Sequence, residues 1–144
     1  MKKRFVVFLL FSLNAACQTK ENHKMGKNVY KILTEQEWLI AQEKGTLITI
    51  LDKNDGFIHL STAAQLAGTL SFFFAEYEKV FLLQLKQSTF KQNLIYETPY
   101  PEGKRTGLFP HLYSDLKVDQ IAKIWELKRG AFILPDEVIL ESEK

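Results

Sequence analysis

A histidine and a serine lie two residues apart where a short apolar strand leads into a helix. In the segment 56–62, Gly-Phe-Ile-His-Leu-Ser-Thr, His59 and Ser61 share one face of the predicted strand because strand side chains alternate. An imidazole donates or accepts near neutral pH, a hydroxyl does both, and a helix start at Thr62 offers free N–H groups. These groups suit a hydroxylated or anionic ligand. A core histidine beside a serine cap fits the pattern equally well.

A carboxylate and a second histidine flank a proline-rich loop. Glu97 lies near the end of a predicted strand, and residues 99–113, which include His111 and Tyr113, hold three of the four prolines. Loops of this length are usually functional or disordered, and the Phe-Pro-His-Leu-Tyr end argues against disorder. Glu97 shares a strand face with Ile95, and partial desolvation there would raise its carboxyl pKa. A solvated strand-end carboxylate is the alternative.

The basic residues give no support for a nucleic-acid partner. Lys104 and Arg105 are candidates for phosphate contacts, although solvated loop charges are commoner at such positions. Three of the 19 Lys and Arg lie at 2–4, in a segment that we expect to be removed, which leaves 16 basic against 17 acidic residues. Binding of nucleic acid driven by overall charge is therefore excluded.

The elements that must position these residues form an α+β pattern. Capping boxes at Thr34–Glu37 and Thr62–Gln65 start two main helices, the first ending at Gly45. Strands or extended segments are predicted at 29–33, 47–51, 57–61, 80–85, 94–98 and 121–127, with a turn at 52–56. We therefore expect a single α+β domain with mixed or antiparallel sheets.

Apolar periodicity predicts the buried faces. The second helix repeats apolar residues at helical spacing, and we expect all of them in the core: Leu66, Leu70, Phe73, Phe74 and Tyr77. The strand at 80–85 is almost wholly apolar, which predicts burial on both faces. In the last strand, alternation places four residues on one side: Ile121, Lys123, Trp125 and Leu127.

The first residues are typical of an export signal. Basic residues, an apolar run at 5–13 and Ala15-Ala16 precede Cys17, and the run is about half the ~20 residues that span a bilayer. This order resembles a bacterial lipoprotein cleavage site, although Asn14 stands where leucine is usual; a plain secretory signal is the alternative. We expect a signal peptide at 1–16, a lipidated Cys17 in a tether at 17–28 that anchors the protein to the membrane of the cell envelope, a domain at 29–138 and a polar tail at 139–144.

The order of the chemical blocks resembles a bacterial family, number 952 among the domains of unknown function. The blocks are Tyr30-Lys31-Ile32, residues 56–62 with Gln65 and Thr69, Tyr96-Glu97, and residues 109–113. That family is thought to share the fold of ADP-ribosyltransferases. Its His-x-Ser block also resembles that of the RNA 2′-phosphotransferases, which use NAD, although the residues that grip RNA phosphate have no evident counterpart here. Lys31 stands where many members look to have histidine.

The resemblance implies a site for NAD, as a substrate, or for an ADP-ribose-like ligand. The implied ligand-binding residues are His59, Ser61 and Thr62 for ribose or phosphate, with Tyr30 or Tyr113 stacking on nicotinamide. The implied catalytic residues are Glu97, near the anomeric carbon, and His111, a general acid or base.

Three functions stay open at this point. The first is an ADP-ribosyltransferase-type enzyme that transfers or hydrolyses ADP-ribose. The second is a non-catalytic envelope domain that binds a nucleotide-like or sugar-phosphate ligand, since free NAD should be scarce outside the cytoplasm. The third is metal-assisted hydrolysis by His59, Glu97 and His111, for which no close metal-ligand spacing occurs; we expect no metal.

Overall fold

The computed structural model describes residues 26–99, 105–128 and 133–143. The predicted signal peptide, Cys17, most of the predicted tether and Lys104 lie outside these residues. The described part of the chain is a small α+β domain with two three-stranded antiparallel sheets and four α-helices. No helix within these ranges is long and apolar enough to cross a bilayer.

The first sheet has its most apolar strand in the middle. Strand β1 (Asn28–Thr34) and strand β6 (Ile121–Lys128) pair antiparallel with either side of β3 (Lys79–Lys86). In β3, the side chains of Val80, Leu82, Leu83 and Leu85 are fully buried. The predicted burial of this strand on both faces is confirmed, because hydrophobic clusters cover the sheet on each side.

The second sheet is smaller and has the order β2-β5-β4. Strand β2 (Ile58–His59) and strand β4 (Leu94–Glu97) pair antiparallel with the central β5 (Phe109–Leu112). The predicted strand at 57–61 is regular only over two residues, because Ser61 pairs with Tyr30 of β1 instead of β5. Their two backbone N–H···O bonds, of 2.8 and 2.9 Å, link the two sheets.

The first predicted helix is confirmed with its cap. Helix α1 (Glu35–Lys44) starts where the Thr34 N–H donates to Glu37 Oε2 at 2.9 Å and the Glu37 N–H donates to Thr34 Oγ1 at 3.2 Å. It ends at Gly45, whose φ of 72° favours glycine.

The second predicted helix is confirmed, but its apolar stripe is only partly core. A 3₁₀ turn at 63–65 leads into α3 (Leu66–Phe73), which buries Leu66 and Leu70. Phe73 and Tyr77 are 53% and 45% exposed, so the prediction of core positions is wrong for both. The α-helix ends at Phe73, and the helical period therefore no longer sets the direction of Tyr77.

A short helix forms where the sequence predicts an extended segment and a turn. Helix α2 (Ile50–Asp55) is capped by Thr49, whose N–H donates to Asp52 Oδ2 at 2.9 Å while its Oγ1 accepts from the Asp52 N–H at 3.2 Å. Gly56, with a φ of 82°, ends it. The turn-forming residues of this segment thus serve a short capped helix, with aspartate in the place that a capping box usually gives to Glu or Gln.

A fourth helix closes the fold. In α4 (Asp136–Ser142), Val138 is fully buried and Glu141 accepts hydrogen bonds from the backbone and side-chain amides of Asn28 and from the Tyr30 hydroxyl. The predicted domain ends at Val138 and has two main helices. The ordered fold continues through Ser142, and the described residues form four helices.

A β-bulge corrects the predicted facing of β6. The register of β3 and β6 shifts between Gln84 and Leu85, so Ile121 lies opposite Leu85 while Trp125 and Leu127 lie opposite Leu82 and Val80. Directly paired residues share a face. Ile121 therefore packs in a different hydrophobic cluster from Trp125 and Leu127, and the prediction of a common side is wrong for Ile121.

Candidate functional site

One face of the second sheet carries both histidines. His59 and His111 are direct cross-strand partners, so their rings lie on the same face, with centroids 5.8 Å apart. Glu97 lies opposite Phe109 in the β4–β5 pairing and reaches the same face. The opposite face sends Ile58 and Leu112 into the core. We call the side that bears His59, His111 and Glu97 the histidine face.

His59 is held from behind by a buried ion pair. Asp52 has no exposed side-chain surface; its Oδ1 lies 2.9 Å from His59 Nδ1 and accepts the His59 N–H at 3.0 Å. Lys31, 4% exposed, donates from Nζ to Asp52 Oδ2 at 2.6 Å. Because an ionised carboxylate only accepts, Nδ1 is the nitrogen that carries the proton, and Nε2 is left for other chemistry.

In the buried ion pair of Asp52 and Lys31, each charge favours the ionised form of the other residue. Burial alone would raise the pKa of Asp52, but the hydrogen bonds from His59 and the charge of Lys31 hold that pKa well below its usual range. Burial lowers the pKa of Lys31, and the charge of Asp52 opposes that change. Asp52 is therefore ionised at neutral pH, and its partners offset the cost of burying a carboxylate.

The second nitrogen of His59 faces another carboxylate. Its Nε2 lies 3.1 Å from Asp55 Oδ2, with an orientation that makes no hydrogen bond, and it has almost no accessible surface. Buried polar atoms without a hydrogen-bond partner are uncommon, and this one has none among the described residues. A ligand that reaches this nitrogen must move the Asp55 side chain, which is 15% exposed.

His111 has a more open carboxylate partner. Its Nδ1 donates to Glu97 Oε2 at 3.0 Å, and the same oxygen accepts the Tyr113 hydroxyl at 2.8 Å. Glu97 is 39% exposed at its side chain, whereas His111 is buried. Hydrogen bonds from Tyr113 and His111 lower the pKa of Glu97, so the expectation of a raised value is wrong. Burial lowers the pKa of His111, which is thus neutral at pH 7.

An aromatic ring joins the two histidines. Phe57 stacks on His111, with centroids 4.1 Å apart and planes at 21°, and lies 4.6 Å from the His59 ring and 5.5 Å from the Tyr113 ring. Tyr113 is 44% exposed and adds an accessible aromatic surface. The histidine face therefore combines two imidazoles, an ionised carboxylate and aromatic rings.

Three of the residues implied as ligand contacts lie elsewhere. Tyr30 is 1% exposed and points away from its neighbour Lys31, so its hydroxyl bonds Glu141 and not the histidine face. The Ser61 hydroxyl, 4% exposed, lies 3.1 Å from Thr69 Oγ1. The Thr62 N–H donates to Gln65 Oε1 at 2.9 Å. Among the described residues, no hydrogen bond or ring contact joins these three residues to the histidines.

Sequence reasoning missed Lys31, Asp52, Asp55 and Phe57. Two signals could have found some of them: Phe57 shares the strand face of His59 by alternation, and Thr49-x-x-Asp52 has capping-box spacing. No pattern predicts that Lys31, between the core residues Val29 and Leu33, would be buried with a partner.

The histidine face is only partly accessible: the side chains of His111 and His59 are 4% and 24% exposed, and that of Glu97 is 39% exposed. A groove of about 520 Å³ lies elsewhere, lined by Ser88, Asn93, Asp115 and neighbouring residues, and includes none of the residues described above. Within the described ranges, no three His, Cys, Asp or Glu side chains are grouped to hold a metal ion.

The chain belongs to a family described as protein of unknown function (DUF952), whose model matches residues 32–124 and thus includes both histidines and Glu97. Its fold is similar to that of CC0527 from Caulobacter crescentus. The crystal structure is 28% identical, with a TM-score of 0.66, and the match covers 78% of this chain and 98% of that one. The solution NMR structure is 30% identical, with the same TM-score and coverage of 80% and 99%. No curated protein matches the chain significantly.

Proposed function

We propose that the histidine face binds NAD or an ADP-ribose-like ligand and transfers or hydrolyses its ADP-ribosyl group. The observation that carries the proposal is the pairing of two adjacent imidazoles, each oriented by its own carboxylate. Such an arrangement supplies proton transfer beside a fixed negative charge. The family resemblance supports the choice of ligand, and an ADP-ribosyltransferase-like fold is part of the same proposal.

The roles follow from the environment of each group. Glu97 stays ionised and partly exposed, and it would stabilise the positive charge that develops on ribose as the bond from C1′ to nicotinamide breaks. Nicotinamide leaves with the bonding electrons and stacks on Tyr113 or Phe57. His111 is neutral and would accept the proton of the water or acceptor hydroxyl that attacks C1′.

The proposal includes a location. A lipidated Cys17 after a signal peptide would hold the domain at the cell envelope through residues 17–28. Stable anchoring needs more than one acyl chain, which lipoprotein processing supplies. Replacement of Cys17 by serine should then release the exported protein from the membrane fraction, and unchanged membrane fractionation would contradict this part.

Release of nicotinamide from NAD tests the central claim. The chain from residue 18 onward should release nicotinamide, measured by chromatography, and His111→Ala should reduce the rate by about 10²-fold or more, the usual contribution of general acid–base catalysis. His23→Ala is the matched control, because His23 belongs to the predicted tether, and it should leave the rate unchanged.

Two results would redirect the proposal. Saturable binding of NAD or ADP-ribose without nicotinamide release would favour the non-catalytic ligand-binding domain. Absence of binding to either compound, seen by calorimetry with the folded protein, would contradict both forms.

A further inference from the structure

Arg105 is held in an unusual position at the end of the histidine face. Its guanidinium carbon lies 4.7 Å from the ring centroid of Phe73, the last residue of α3, and 4.7 Å from that of Phe109 in β5. Contact with two rings fixes a side chain that is usually mobile. Burial between them lowers the pKa of Arg105, whose guanidinium nevertheless keeps its charge at neutral pH.

Among the described residues, the Arg105 guanidinium has no hydrogen-bond acceptor. A guanidinium carries five N–H donors, yet the described residues offer Arg105 neither a hydrogen bond nor an ion pair. Glu97, which pairs with Phe109 across the strands, bonds His111 and Tyr113. The rings thus hold the cation in place, and no described residue occupies its N–H donors.

Arg105 and the two histidines lie on the same surface. Phe109 and His111 are two residues apart in β5, so their side chains share a face and their Cα atoms are about 7 Å apart. Burial does most to lower the pKa of His111; Glu97 raises that pKa, while the electrostatic effects of His59 and of the Arg105 charge lower it further. One ligand can therefore contact the guanidinium and the imidazoles together.

We propose that Arg105 is an anion-binding group of the histidine face and that the ligand there carries a phosphate or diphosphate at this end. The planar guanidinium fork matches two phosphate oxygens, which makes arginine the favoured residue for such groups. The inference rests on the proposed function in taking the histidine face as the ligand site. It adds the requirement that the ligand be phosphorylated and names the residue that recognises the phosphate.

Inorganic pyrophosphate is the probe that tests this site without NAD. Titration of the chain from residue 18 onward, followed by NMR, should shift the His111 ring signals and the amide signals of residues 105–112. Arg105→Met, which keeps an apolar side chain between the rings, should weaken the affinity by about tenfold or more, the loss expected for one charge-assisted hydrogen bond. Arg105→Lys keeps the charge without the fork and should fall between the two.

The controls separate this inference from the proposed function. Lys44→Met removes an equal charge from the end of α1 and should leave pyrophosphate affinity unchanged. Equal affinity of Arg105→Met and the wild type, no binding to the wild type, or an equal loss in Lys44→Met would overturn the inference. If Arg105→Met fails to fold, Arg105→Lys decides by the same comparison. Failure to release nicotinamide, with the pyrophosphate site intact, would count against the proposed reaction alone.

Discussion

His59 and His111 face each other across adjacent strands, yet their carboxylate partners lie in opposite environments. Asp52 has no exposed side-chain surface and is backed by the buried Lys31, whereas Glu97 is 39% exposed and is backed by the Tyr113 hydroxyl. The two imidazole–carboxylate pairs are therefore expected to differ in how much they contribute to the stability of the fold. The carboxylate of the first pair is part of the packed interior, whereas the carboxylate of the second is exposed enough to meet a ligand.

The largest expected difference is in stability. Asp52→Ala leaves the Lys31 ammonium buried without a counter-charge and removes one of the two hydrogen bonds of the α2 capping box, so we expect a loss of about 3–5 kcal/mol in the free energy of unfolding, measured with urea. Glu97→Ala, the matched change in the other pair, should cost far less because Glu97 is itself partly exposed and its loss leaves a neutral His111, not a buried charge, without a partner. Lys31→Met should recover part of the loss in the Asp52→Ala background. Equal losses from the two alanine variants would remove the contrast.

A smaller effect concerns the pH dependence of folding. The pKa of buried His111 is below its ordinary value, so between that value, about 6.5, and the folded-state pKa the unfolded chain binds a proton that the native state does not. Stability should thus fall as the pH falls below about 6.5, by at most about 1.4 kcal/mol per pH unit. Urea unfolding from pH 5 to 7.5 measures this slope, which should flatten in His111→Gln. An unchanged slope would assign the proton to another group.

The smallest effect should appear in one carboxyl group. Tyr113→Phe removes the hydrogen bond that does most to lower the pKa of Glu97, so that pKa should rise while the melting temperature stays nearly constant. A carbon-13 NMR titration of the Glu97 carboxyl measures the change. Tyr77→Phe alters another exposed tyrosine, outside the histidine face, and should leave the titration unchanged. An unchanged Glu97 pKa in Tyr113→Phe would show that Glu97 and Tyr113 are less coupled than the geometry indicates.

The sequence predicted most elements of the fold because local rules set them. The Thr34–Glu37 cap, the buried strand β3 and the start of α3 all follow from neighbouring residues. Helix α2 escaped prediction because its residues also favour a turn, although Thr49-x-x-Asp52 has capping-box spacing. The bulge in β3–β6 depends on pairing between distant strands, which alternation within one strand does not reveal.

In the candidate site, too, some features could be predicted from the sequence and others depend on the pairing of distant strands. The family resemblance implies one site that includes His59, His111 and Glu97, but the register that makes the two histidines direct partners is a property of the sheet. Tyr30 was misplaced because its strand has two covered faces, and the sequence does not say which one meets the histidines. The side chain of Lys31 points to the face that meets the histidines. Its role is not predicted because a lysine is rarely buried.

The bonds between Glu141 and β1 bear on the order in which the molecule assembles. Asn28 and Glu141 are 113 positions apart, so this contact closes nearly the longest loop in the domain. Closing it in an unstructured chain is entropically costly, whereas folded sheets already bring the two segments close. We therefore infer that α4 docks after the sheets have formed and undocks first. Its departure would expose the Tyr30 hydroxyl and the cluster around Val138 while leaving the histidine face intact.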